Sequence, residues 1–181
     1  SGHDNISITK KASSYISTKP ELIHLEKNIN WINQEEYYSE EHENIILTLP
    51  PCQQYEHIMK KLVLRKLKNL ILEKPIANDP KNALILINLL SKLQIKFKVN
   101  YSFLYTKWYE IVKYKIIEID SNSTLNIDWN FNAFHFQHNL DIWKRYHTVG
   151  GGALRFYGIH LIAFLASLGY KDVKESICFC E

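Results

Sequence analysis

The stretch Leu70-Ile71-Leu72-Glu73-Lys74-Pro75-Ile76-Ala77 constrains the fold more than any other. An apolar run ends abruptly in Glu-Lys-Pro, and Asn78-Asp79-Pro80 opens a new segment directly afterwards. A short continuous apolar run bounded by turn residues suits a strand buried on both faces of a parallel sheet. Asp79 is a good N-cap and Pro80 a good first helical residue, so a helix follows at once. Lys74 is therefore expected at the exposed carboxyl end of a buried strand, where open α/β sheets bind their ligands.

The same pattern recurs on both sides. Ile45-Ile46-Leu47-Thr48-Leu49 is a second apolar run, stopped by Pro50-Pro51, and Pro cannot continue a central strand. Between the two runs, Tyr55, Ile58, Met59, Leu62 and Val63 recur at helical spacing, which predicts one apolar face over Gln53 to Arg65. Pro80 to Leu93 predicts a second helix, carrying Ala83, Leu84, Ile87 and Leu90 with Leu86 flanking them, and Ile95 to Tyr101 a third strand. Strand, helix, strand, helix, strand with short connections means right-handed βαβ units and a parallel sheet. Upstream, Asn5 to Thr9 and Asn28 to Ile32 read as two further short strands, and Gln34 to Glu43 as a short helix or loop.

Past Tyr101 the periodicity changes. Thr106 to Ile119 reads as a helix with Trp108, Ile111, Val112, Lys115 and Ile116 on one side, and Asp120 to Ser123 as a turn. Thr124 to Phe134 alternates almost strictly, the pattern of an antiparallel strand with one face covered. Ala153 to Leu168 reads as an apolar helix stopped by Gly169, and Ser176 to Cys180 as one more strand. The expected fold class is α/β. A partial parallel sheet occupies residues 4–101, and an α+β unit with a mainly antiparallel sheet occupies residues 102–181.

Composition narrows the function classes. The hydrophobic share of 46% is enough for a substantial core and excludes a disordered chain. The net charge of +3 is small and spread out. Its densest basic cluster, Lys60, Lys61, Arg65, Lys66 and Lys68, reads at helical spacing as a solvated face, so no nucleic-acid partner is expected. Three cysteines, Cys52, Cys178 and Cys180, make no disulfide framework, and free thiols suit a cytoplasmic protein. No apolar run approaches the ~20 residues of a membrane span.

Several residues could carry chemistry. Gly150-Gly151-Gly152 lacks the G-x-G-x-x-G spacing of a phosphate loop. It is either a tight loop leading into a helix or a flexible backbone that brings N–H groups toward a ligand. His160 is either a satisfied buried histidine or a proton donor and acceptor near neutral pH. Trp143, Lys144 and Arg145 precede the glycines and either pack and face solvent or line a cleft. His135 and His138 stand three apart without a third ligand nearby, so no metal site is expected.

Together, Thr48-Leu49-Pro50-Pro51, Glu73-Lys74-Pro75 and Gly150-Gly151-Gly152-Ala153-Leu154 followed by Gly158-Ile159-His160 resemble the Gfo/Idh/MocA family of NAD(P)-dependent oxidoreductases. The resemblance runs from about Asn44 to about Asp172. It implies a Rossmann-like nucleotide-binding domain over residues 4–101 and a C-terminal domain for substrate and dimerisation over residues 102–181. It implies hydride transfer between NAD or NADP and the hydroxyl or ketone of a sugar or nucleotide-sugar, in a cytoplasmic homo-oligomer, commonly a dimer. Lys74 and His160 would be the catalytic pair. Thr48, Pro50, Pro51, Glu73, Lys74 and Pro75 would bind the cofactor, and Trp143, Arg145 and Tyr157 the substrate.

The chain departs from the family pattern at defined places. An Asp is expected four residues before the histidine, where Phe156 stands. A His is expected after the Pro-Pro turn, where Gln54 stands, and the arginine after the third strand is Leu104. G-x-G-x-x-G occurs nowhere in the 181 residues, and only one strand is expected after the His160 helix. The chain thus reads as a part of a longer enzyme or as a naturally reduced form. In the second case it would be a catalytically inactive binding or dimerisation module. Lys10 and Lys11 fall near the position that reads the cofactor ribose and point to NADP.

Overall fold

The computed structural model describes residues 6–39, 41–63, 66–118 and 124–177. In chain order these residues form β1 (Ile6–Thr9), α1 (Ser13–Ser17), α2 (Ile23–Glu26), β2 (Ile29–Ile32), α3 (Gln34–Ser39), β3 (Asn44–Leu47) and α4 (Pro51–Leu62). There follow β4 (Asn69–Glu73), α5 (Pro80–Lys92), β5 (Lys96–Asn100), α6 (Lys107–Ile117), α7 (Phe134–Gln137) and α8 (Ile159–Ser167). Short 3-10 turns connect several of them.

Every strand pairing is parallel. β1 pairs with β2, Ile6 opposite Ile29 and Thr9 opposite Ile32. β3, β4 and β5 form a separate sheet in that order, with Leu47 opposite Leu72 and Leu72 opposite Val99. The elements expected before Tyr101 are present, and Asp79 caps α5 by accepting the Lys81 N–H at 2.8 Å.

The core lies on one face of the three-stranded sheet. Ile45, Leu47, Leu70 and Leu72 pack against Ile58 of α4 and Leu86 and Leu90 of α5. Burying each such side chain contributes about 1.5–3 kcal/mol. The opposite face carries Ile46, 72% exposed, and Ile71, 43% exposed. The runs expected to be buried on both faces are therefore buried on one, because α4 and α5 lie on the same side.

The inward face of α4 is wider than the one its apolar spacing predicts: Tyr55, Ile58, Met59 and Leu62 pack on the core as expected, and polar residues join them. Gln54, His57, Ile58 and Lys61 point inward, while Val63 is 77% exposed. Polar side chains are tolerated there because each is satisfied. His57 Nδ1 and Nε2 lie 3.2 and 2.6 Å from the hydroxyls of Tyr38 and Tyr37 on α3. Lys61 donates to the Tyr37 carbonyl, and its ammonium stands 4.2 Å from the centre of the Tyr37 ring. This corrects the solvated basic face: Lys61 belongs to the seam between α3 and α4, while Lys66 and Lys68 pair with Glu41 and Glu43 outside it.

The second half departs from expectation. Among the described residues there is no antiparallel sheet. Residues 124–133 form no strand, nor do Ser176 and Ile177. The alternation of Thr124 to Phe134 reflects side-chain packing without a partner strand. Trp129 joins an aromatic cluster with Phe103 (5.6 Å between ring centres), Trp108 (6.0 Å) and Phe164 (6.4 Å). Phe131 packs on Tyr157 at 4.7 Å. The expected turn at Asp120 to Ser123 and most of the last expected strand, Cys178 to Cys180, lie outside the described residues. Ala153–Gly158 is one π-helical stretch that leads into α8. Among the described residues no helix is long and apolar enough to cross a membrane.

Candidate functional site

The site forms at the carboxyl ends of β3 and β4. β4 runs out at Glu73, and the chain turns through a cis Lys74–Pro75 peptide. Gln54, fully buried on α4, holds this turn from below. Its amide Nε2 donates to the carbonyls of Glu73 at 2.8 Å and Ile76 at 3.2 Å, and its Oε1 accepts the Glu73 N–H at 3.1 Å. One side chain thereby satisfies the backbone of a buried turn that has no ladder partner. Sequence reasoning noted Gln54 only as a departure; the signal was a polar residue at i−3 and i−4 from two other inward positions, His57 and Ile58.

Lys74 is half-buried. Its Nζ donates to the Phe156 carbonyl at 2.7 Å and stands 3.8 Å from the centre of the Phe156 ring. Burial pushes its pKa down to about 8; the nearby Glu73 carboxylate opposes this and Lys144 adds to it. Glu73 is itself anchored, accepting from the Asn100 side chain at 2.8 Å. A lysine in this range exchanges protons near neutral pH, as a surface lysine does not.

A cavity of about 330 Å³ opens beside it. Thr48, Leu49 and Pro50 from the end of β3 form one side, with Glu73 and Lys74. Trp143, Lys144 and Phe156 form the other. Pro51 and Pro75 are buried beneath the turn. Of the expected substrate residues, Trp143 lines the cavity. Arg145 is drawn away, donating to Asn139 Oδ1 at 3.0 Å. Tyr157 bonds His135 Nδ1 at 3.0 Å. Lys144, not Arg145, joins Lys74 as a basic side chain of the cavity.

His160, the second residue of α8, is buried. The rings of Phe103 and Tyr101 meet it edge-on at 4.6 and 6.5 Å, and its Nδ1 has no hydrogen-bond partner. Burial, aided by the charge of Lys74, pushes its pKa down to about 4. It is therefore a neutral imidazole at pH 7, and it is not among the residues that line the cavity.

The triple glycine brings these parts together. Gly150 and Gly152 have φ of +93° and +84°. A Cβ on Gly150 would sit 2.9 Å from the Pro51 ring, and one on Gly151 only 2.3 Å from the Trp143 carbonyl. Of the two sequence readings, close packing is the one that the backbone supports. Arg155 reinforces the seam by donating to the Asn78 and His147 carbonyls. Among the described residues no cluster of three or more His, Cys, Asp or Glu could hold a metal ion.

No family model matches the chain, and no curated protein matches its sequence. Solved structures do match its fold. An NAD-binding protein from Listeria innocua superposes with a TM-score of 0.62 at 14% identity, covering 92% of this chain and 55% of that one. An NAD-binding oxidoreductase from Klebsiella pneumoniae gives 0.67 at 19% identity, covering 90% and 43%. The WlbA dehydrogenase from Bordetella pertussis, in complex with NADH and UDP-GlcNAcA, gives 0.65 at 12% identity, covering 91% and 47%. The chain thus spans about half the length of these structures. Over nine-tenths of its own length it has the Rossmann-like fold of NAD-binding oxidoreductases.

Proposed function

We propose that the chain is part of an oxidoreductase of the Gfo/Idh/MocA type. Its reaction is hydride transfer between NAD or NADP and the hydroxyl or ketone of a sugar or nucleotide-sugar. The observation that carries this reading is Lys74: a half-buried amine with its pKa pushed down to about 8, at the carboxyl end of a parallel strand, beside a cavity and His160. The complexes of WlbA with NADH and UDP-GlcNAcA support the ligand classes.

The residues present fit one end of such a cofactor. Thr48, Leu49, Pro50 and Glu73 offer a flat, partly apolar wall for a nicotinamide ring next to Lys74. The G-x-G-x-x-G turn that would hold the pyrophosphate is not among these 181 residues. When bound, the cofactor supplies the hydride acceptor or donor. The chain's own residues supply the rest. Lys74, anchored by Gln54 through the Glu73 turn, takes up or delivers the hydroxyl proton. Neutral His160, buried outside the cavity lining, adds no second charge beside Lys74. Trp143 and Phe156 exclude water from one side of the cavity.

One observation favours a second reading, an inactive binding or dimerisation module: Lys74 rests on the ring of Phe156, where the resemblance calls for a carboxylate. Lys74→Met in the full-length protein separates the two. The oxidoreductase reading expects turnover with NAD(H) or NADP(H) to fall at least 100-fold with the fold intact by circular dichroism. Unchanged turnover removes Lys74 from the mechanism. Absence of cofactor binding by calorimetry in the unmodified protein favours the module.

A further inference from the structure

The cavity holds two ammonium groups on one aromatic ring. Lys74 Nζ stands 3.8 Å from the centre of the Phe156 ring and Lys144 Nζ 5.0 Å from it. Neither lysine makes an ion pair with a carboxylate among the described residues. The carboxylate in the lining, Glu73, accepts from the Asn100 amide. The walls are otherwise Thr48, Leu49, Pro50 and Trp143, so the two positive charges share a largely apolar space. There, burial and then the charge of Lys144 lower the pKa of Lys74, against the Glu73 carboxylate, which raises it. The chain thus places two ammoniums against one carboxylate in the cavity, with the Phe156 ring near both ammoniums.

We propose that Lys74 and Lys144 form an anion subsite, and that the natural ligand is a polyol bearing a carboxylate or phosphate group. Oxygens of such a group, seated beside the Phe156 ring and off its negative face, accept from the ammoniums and supply counter-charge beyond that of Glu73. Charge-assisted bonds of this kind are about twice as strong as neutral ones. The polyol part rests on the sugar-oxidoreductase reading above; the anion part rests on the lysine pair alone. Lys144 is then a specificity residue, and its replacement affects ligand choice more than the chemical step.

The test is calorimetry on the full-length protein with D-glucuronate, D-glucose 6-phosphate and D-glucose, each with and without NAD(H). At least one acid is expected to bind tenfold or more tighter than glucose, with the preference falling as salt rises. Glucuronate alone keeping the preference identifies a carboxylate ligand, and glucose 6-phosphate alone a phosphate. Lys144→Met erases the preference and Lys144→Arg keeps it, both variants remaining folded by circular dichroism. Equal affinity for glucose and both acids, no binding of any of the three, or an unaltered preference in Lys144→Met overturns the proposal. If NAD(H) fails to bind while the acid preference holds, the oxidoreductase reading falls and the subsite stands.

Discussion

The two halves of the molecule meeting at the cavity are built on different principles. Before Tyr101, position is set by backbone: parallel ladders run from β3 to β5, and Gln54 extends the hydrogen bonding past the last rung to the Glu73–Ile76 turn. After Tyr101, no ladder exists among the described residues, and position is set by rings. His160, Phe103, Trp108, Trp129 and Phe164 touch edge to face or tilted, with Trp129 and Phe164 stacked, and Gly150 packs against Pro51 and Asn78. The difference teaches where precision comes from at each side of the site. Lys74 is aimed by directional bonds to main chain, whereas His160 is held by shape.

Four variants test that contrast. The largest effect is expected from Gln54→Leu, which keeps volume but leaves the turn's N–H and carbonyl groups buried without partners. Leaving such groups unsatisfied costs about 1–3 kcal/mol each, so urea unfolding is expected to show a loss of about 3 kcal/mol, with turnover falling alongside. A loss below 1 kcal/mol would show that the ladder alone positions Lys74.

Gly151→Ala is expected to cost somewhat less, about 1–3 kcal/mol, as overpacking does. Its Cβ would meet the Trp143 and Lys144 carbonyls at 2.3 and 2.5 Å. Because this seam carries Trp143 and Lys144 into the cavity, ligand affinity is expected to drop more than the stability of the β3–β5 core. Hydrogen exchange that loosens β4 as much as the residues around Trp143 contradicts the division into two halves.

The smallest effect concerns pH. His57 and His160, one in each half, both have pKa values pushed down from 6.5 to about 4, chiefly by burial. The unfolded chain therefore binds protons that the folded chain refuses. Their contribution to stability is complete above about pH 6.5 and is lost as pH falls toward 4. Replacing either with Gln is expected to flatten that decline by about one proton, measured from urea midpoints between pH 4 and 7. His57→Gln should also lower stability at pH 7, because two tyrosine hydroxyls lose a ring partner. His160 has an unbonded Nδ1 and less to lose there.

Legibility followed the same division. The five strands and the helices α4 and α5 were readable because apolar spacing and proline stops are local signals of backbone periodicity, whereas the short α1 and α2 lie in a polar stretch that carries no such signal. The polar part of the inward face of α4 was not readable, since Gln54, His57 and Lys61 are buried only because partners on β4 and α3 satisfy them. Thr124 to Phe134 misled for a related reason. Alternation reports that one face is covered, and it cannot say whether a second strand or a set of rings covers it.

By itself, the sequence determined the parallel βαβ core and Lys74 at a strand end, because both follow from short-range patterning and proline geometry. It also determined that no carboxylate stands at position 156. Tertiary structure alone decided that Lys144 and not Arg145 shares the cavity, that Gln54 holds the Glu-Lys-Pro turn, and that the glycines serve close packing. Each of these depends on where one segment's side chains meet another segment's main chain, and spacing along the chain carries no record of such meetings.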